Sequence, residues 1–232
     1  MSICVAFVGQ KGGVGKSTLA RALAASAAGA GIAVKTVDLD PQQATITVWA
    51  QARDRYKVSP SIKVDPFLSA EEALATPPAE ELLIIDTPGS ISDDIARVAD
   101  HADLLVQPAS PTVDDLYPAV LVFQALEKVG VARDKFTFAL CRTLAEEEAL
   151  DARAYLQGLG YAVLTGDVPE HLAYRRAMNR GRAITEADQP LLSARAEAMM
   201  ADLLARVELT RPERVAAVMA NGTQHGHAVQ PA

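Results

Sequence analysis

The segment Gly9-Gln10-Lys11-Gly12-Gly13-Val14-Gly15-Lys16-Ser17-Thr18 constrains this chain more than any other stretch. It follows a short apolar run, Val5 to Val8, that reads as a strand, and it opens an alanine-rich run, Lys16 to Ala30, that reads as a helix stopped by Gly29 and Gly31. Strand, glycine loop and helix in that order leave main-chain N–H groups at a helix start with no carbonyl of their own to bind. Glycines let successive amides turn inward, and the helix dipole favours an anion among them. The loop is therefore read as a phosphate cradle. A bare glycine turn would not require both Lys11 and Lys16. The pattern Lys-Gly-Gly-x-Gly-Lys-Ser arises by chance in a chain of this length with a probability on the order of 10⁻⁵ to 10⁻⁴.

In such a cradle Gly12, Gly13, Val14, Gly15 and Thr18 surround the phosphates, Lys16 reaches the β- and γ-phosphates, and the Ser17 hydroxyl ligates Mg²⁺. The common pattern G-x-x-x-x-G-K-[ST] fails at its first glycine, where Gln10 stands, and Lys11 is extra.

Further apolar runs at Ile32 to Val37, Leu82 to Ile85, Leu104 to Val106, Phe136 to Leu140 and Ala162 to Leu164 predict more strands. Between them lie helical stretches near 43–53, 93–99, 112–128, 146–157 and 191–207. This alternation predicts a single-domain α/β fold, a P-loop NTPase with a mostly parallel sheet and helices on both faces. The domain is expected over residues 1–209, with 210–232 a partly disordered tail whose His225 and His227 are read as a frayed end rather than a metal site.

Composition narrows the setting. Cys4 and Cys141 lie far apart and form no C-x-x-C, which argues against a disulfide framework and for a reducing, cytoplasmic compartment. No basic leader precedes the first strand, and no run approaches the ~18 apolar residues of a membrane span. The net charge is −7, so any contact with nucleic acid must come from a local basic patch working against the global field.

Phosphoryl transfer to water needs a metal anchor and a group that positions the water. Ile84-Ile85-Asp86-Thr87-Pro88-Gly89 ends an apolar run in an aspartate suited to hold Mg²⁺, followed by a loop that can sense the γ-phosphate. Val37-Asp38-Leu39-Asp40-Pro41-Gln42 offers a second acidic end; by itself an Asp-Pro after a strand is usually a turn.

Together these segments resemble the ParA/MinD superfamily of deviant Walker A ATPases, in particular the small plasmid-type ParA and McdA-like branch. The resemblance runs to about Leu209. It implies ATP as the nucleotide with Mg²⁺, and Lys11 reaching across a nucleotide-sandwiched homodimer to the partner's phosphates. It makes Asp40 the residue that organises the attacking water, leaving Asp38 to support the loop, so that Lys11, Lys16 and Asp40 are the catalytic set. Trp49 and Arg53 fit the same branch, with packing as the direct role of Trp49, and Pro108 to Asp114 resembles a segment near the dimer interface. Pro169 falls in the part that relatives use for the nucleotide base, though they often carry arginine where His171 stands.

Arg175, Arg176, Arg180 and Arg182 fall within eight residues, with no acid between Glu170 and Glu186. On a continuous helix Arg176 and Arg180 would share a face. Such a cluster is usually solvated surface, but basic residues in this region of ParA-like dimers bind DNA without sequence preference, which makes these four the DNA-binding candidates. The implied protein is a slow, partner-stimulated ATPase that positions a cargo through a ParB-like or other adaptor, on the nucleoid when ATP-bound and without a membrane. No helix-turn-helix precedes the loop, as an operator-reading relative would need. The rival readings are a MinD-like membrane ATPase, which would need an amphipathic helix near 211–219, and a biosynthetic ATP-dependent ligase.

Overall fold

A strand covered on both faces must be apolar at successive positions, and the central strands of a parallel sheet meet that demand. The computed structural model describes residues 2–89 and 93–209. Along the chain come β1 (Ile3–Phe7), α1 (Lys16–Gly29), β2 (Val34–Asp38), α2 (Thr45–Arg55), β3 (Val64–Pro66), α3 (Ala70–Leu74), β4 (Leu82–Asp86), α4 (Asp93–His101), β5 (Leu104–Ala109), α5 (Val113–Lys128), β6 (Phe136–Thr143), α6 (Glu146–Gly158), β7 (Ala162–Val163), β8 (Val168–Pro169), α7 (Leu172–Met178) and α8 (Pro190–Leu209). The tail with His225 and His227, and the segment 211–219, lie outside the described residues.

The sheet runs β3-β2-β4-β1-β5-β6-β7, with β8 also paired to β6, and the pairings are parallel. Alternate residues feed two cores. Val5, Phe7, Leu82, Ile84, Leu104 and Val106 join the core beneath α1, α2, α7 and α8. Cys4, Ala6, Leu83, Ile85 and Leu105 join the core on the other face, with residues of α3 to α6. The fold is thus the single α/β domain expected, a parallel sheet between two helical layers. Parallel strands bring their carboxyl ends to one edge, where ligands of open α/β sheets bind. Phe7 and Asp38 are both in register with Asp86, so the glycine loop and both acidic motifs emerge side by side there.

Three local features depart from the sequence reading. β3 is a short edge strand ending in a proline, without the apolar run that marks a buried strand. The helix expected from Gln43 begins at Thr45, because Gln43 N–H binds the Asp40 carboxylate at 3.2 Å and Ala44 takes a left-handed conformation. The third is a correction: α7 ends at Met178, so Arg176 and Arg180 do not share a helix face. Gly181, at φ +69°, turns the chain back against α2. Arg53, buried in α2, holds that turn: its Nη1 donates to the Gly181 carbonyl at 3.0 Å, and both terminal nitrogens donate to Glu186 at 2.7 Å. Trp49 adds a hydrogen bond from its indole N–H to the Arg182 carbonyl at 3.0 Å.

A Cβ on Gly181 would lie 2.2 Å from the Arg53 backbone nitrogen, which helix α2 cannot yield. Gly181→Ala should therefore destabilise the protein by roughly 2 to 4 kcal/mol. Urea unfolding checks this; unchanged stability would mean that the turn does not sit on α2 as described.

Candidate functional site

Among the described residues no side chain caps the amino end of α1. Its N-cap is Gly15, which offers no side chain to the first amides, and its first turn carries no acidic residue. Gly13 and Gly15 take φ values of +74° and +123°, which residues with a Cβ rarely adopt. Gly15 is also tight, since a Cβ there would meet Cys141 Sγ at 3.3 Å. The amides therefore face a hollow of about 180 Å³, lined by Gly12, Gly13, Gly15, Lys16, Ser17 and Thr18 from the loop, and by Asp40 and Asp86 across it. An uncapped, glycine-bordered helix start facing a hollow is an anion site by construction.

Charges inside the hollow oppose one another. Lys16 is only 8% exposed; burial lowers its proton affinity, against the pull of Asp86 and Asp40. Asp86, 2% exposed, is pushed up to about 7, foremost by burial and further by Asp38, while the Ser17 hydroxyl, Lys16 and Arg21 act the other way. Its Oδ1 is buried without a hydrogen-bond partner. A carboxylate this poorly compensated beside a hydroxyl fits a divalent cation, which would restore its charged form. Ser17 and Asp86 are the residues that would hold Mg²⁺. Among the described residues no group of three or more His, Cys, Asp or Glu side chains is placed to hold a metal ion.

Asp38 is used structurally. Its Oδ1 accepts from Asp40 N–H at 3.0 Å, and its Oδ2 from the Thr47 hydroxyl at 2.6 Å and amide at 3.3 Å. Asp40 is left partly exposed at the mouth of the hollow. Gly89 brings the loop after β4 against the glycine loop, since a Cβ on it would lie 3.4 Å from the Gln10 carbonyl and 3.7 Å from Lys16 Nζ.

A second cavity of about 350 Å³ opens on the other side of the loop, where Gly13, Val14, Gly15 and Thr18 meet Pro169, Tyr174 and Met178. Pro169 thus stands within reach of whatever the loop holds. His171 is engaged in capping α7, its Nδ1 accepting from Ala173 N–H at 3.1 Å. Glu170 on the rim binds both Arg142 and Arg175.

Lys11 points away from the hollow. It is 54% exposed, and its ammonium pairs with Asp115, which is 7% exposed at the start of α5. Asp114, the acid of the segment that resembles a dimer interface, is the neighbour of Asp115, and the helical phase of α5 turns Asp115 inward. The four arginines separate: Arg175 joins the cavity rim, Arg182 pairs with Asp188, and among the described residues Arg176 and Arg180 are exposed outside any ion pair. Arg180 instead shares a polar groove of about 610 Å³ with Lys57, a residue the sequence did not point to.

Solved structures with this fold include MinD from Pyrococcus horikoshii OT3 complexed with Mg-ADP, at TM-score 0.69 and 16% identity over 87% of this chain and 95% of that one. Apo McdA from Cyanothece gives 0.68 and 20%, over 88% and 100%. A putative plasmid partition protein from Borrelia burgdorferi B31 bound to AMPPNP gives 0.70 and 15%, over 89% and 100%. At these identities the likeness is one of fold. No curated protein sequence matches significantly. The sequence itself matches over residues 5–222 the family described as the CobQ/CobB/MinD/ParA nucleotide binding domain, and the chain belongs to that family.

Proposed function

We propose that this protein is an ATPase that dimerises around ATP and Mg²⁺, holds nonspecific DNA as a dimer and releases it on hydrolysis, so positioning a cargo through an adaptor. The observation that carries this reading is the division of labour between the two lysines of one loop. Lys16 is buried among the loop's own phosphate-facing amides, whereas Lys11 stands outside that hollow on the exposed rim. A second cation so placed serves phosphates held by another copy, and a cation brought to the β–γ bridge offsets the charge that develops on transfer. Bound Mg²⁺ would supply charge neutralisation on the phosphates. Asp40, at the mouth and fixed through Asp38, is the residue to orient water.

The putative plasmid partition protein among the fold relatives agrees with the positioning role, and the MinD complexed with Mg-ADP agrees with nucleotide and metal binding. No described helix is long and apolar enough to cross a membrane. For DNA, Arg176, Arg180 and Lys57 are exposed cations outside any ion pair among the described residues, whereas Arg175 and Arg182 already serve carboxylates.

Lys16→Ala should weaken ATP binding roughly 10- to 100-fold through the lost charge-assisted contacts. It should also abolish the ATP-dependent dimer seen by light scattering; an ATP-bound dimer of this variant would sink the assignment. Asp40→Ala should bind ATP and dimerise while hydrolysis falls by about 100-fold or more. A wild-type turnover rate for it would remove Asp40 from the reaction.

Arg180→Glu combined with Lys57→Glu should reduce dimer affinity for random-sequence DNA about tenfold and flatten its salt dependence by roughly one counterion or more. ATP affinity should not move. Fluorescence anisotropy across a salt series checks this, and identical curves for variant and wild type would exclude the groove.

A further inference from the structure

Two buried arginines flank the site, and they are treated differently. Arg53 has its guanidinium satisfied by a carboxylate and two carbonyls, as a structural arginine should. Arg21, on α1 just beyond the glycine loop, is 8% exposed and has no ion pair among the described residues. Its Nε is buried without a partner, and burial lowers its proton affinity to about 10. An arginine so placed is costly for packing alone, which directs attention to what its two terminal nitrogens hold.

Nη2 donates to the Thr45 carbonyl at 2.5 Å, and Nη1 lies 3.6 Å from Met178 Sδ. Thr45 is the first residue of α2 and lines the phosphate hollow together with Asp40. Met178 is the last residue of α7 and lines the second cavity, where Thr18 Oγ1 also approaches its sulfur at 3.8 Å. Between Asp40 and Thr45 the chain closes on itself through Ala44 N–H to the Asp40 carbonyl at 2.7 Å. That closure places Ala44 at φ 47° and ψ 34°, a left-handed conformation that alanine disfavours. Strain of this kind persists only where the surroundings hold it. The hold at Thr45, the next residue, is Arg21.

We propose that Arg21 is a positioning residue: it pins the strained end of the Asp40 loop to α1 and to Met178, joining the two cavities of the nucleotide site. The proposal rests on the hydrolytic role given to Asp40 above. It predicts that Arg21 acts on turnover through loop geometry rather than on nucleotide capture, which belongs to the glycine loop.

The test uses the full chain with Arg21→Met, Arg21→Lys, and Arg21→Met combined with Ala44→Gly. Arg21→Met should lower kcat for MgATP about tenfold while KM and ADP affinity stay within about threefold. Arg21→Lys should recover much of that loss, and Ala44→Gly should recover part of it by relaxing the left-handed turn. In hydrogen exchange, the amides of Ala44 and Thr47 should open about tenfold faster in Arg21→Met, with those of Leu83 and Ile84 unchanged. Exchange and kcat within about twofold of wild type would overturn the proposal. So would exchange that accelerates equally throughout the chain with no rescue by either second variant, the mark of general destabilisation. If the wild type itself fails to hydrolyse ATP, the ATPase reading falls, and the amide exchange still decides whether Arg21 holds the loop.

Discussion

Helix α1 begins with amides that no described side chain caps, because its N-cap is a glycine and its first turn carries no acid. Each unpaired main-chain donor away from bulk water costs free energy comparable to a lost hydrogen bond. The glycines that expose these amides also give up the rigidity a bulkier loop would have. An anion would complete the arrangement. The rest of the carboxyl edge is organised around these amides: β1 delivers the loop, β2 and β4 deliver carboxylates in register beside it, and Gly89 packs against it.

The same edge is electrostatically unfinished. Asp38 and Asp86 are both buried on neighbouring strands, yet Asp38 is saturated by amide and hydroxyl donors while Asp86 keeps one oxygen bare. Two adjacent carboxylates in one setting thus take different work: one shapes the Asp40 loop, the other remains open to a cation. Lys16 and Arg21 supply positive charge from α1, but at positions that serve phosphate and loop rather than a direct pair with Asp86. An anion and a cation bound here together would each relieve the charge that the other introduces.

Much of this was legible in the sequence because it depends on short-range order. Strand, glycine loop and helix are contiguous, and β4 and β5 are uninterrupted apolar runs, so period and punctuation suffice for them. Asp86 could be placed because it ends such a strand, whereas Asp40 lies two residues beyond β2 and was marked out only by the family resemblance. What escaped depends on contacts distant in the chain. β3 has no apolar run, its pairing being set by β2. Arg21 sits in an alanine-rich helix where nothing local distinguishes it from a surface residue; the return of Thr45, Trp49 and Met178 onto α1 gives it partners. The arginine cluster looked continuous because the acids that break it, Glu170 and Asp188, flank it in sequence but fold back onto Arg175 and Arg182.

The pairing of Lys11 with Asp115 bears on how such a site becomes a switch. To move a population from mostly monomer to mostly dimer, ATP must favour the dimer by roughly 5 kcal/mol, since a ligand that binds both states equally shifts nothing. An exposed lysine paired with a buried carboxylate gains little from that pair alone, because the ammonium remains largely in water. Triphosphate charge on an apposed copy offers it a stronger, desolvated partner, and the extra phosphate of ATP over ADP lies at the end such a lysine would reach. In the dimerising ATPase proposed above, the weakness of this contact would let one phosphate group decide between two assembly states.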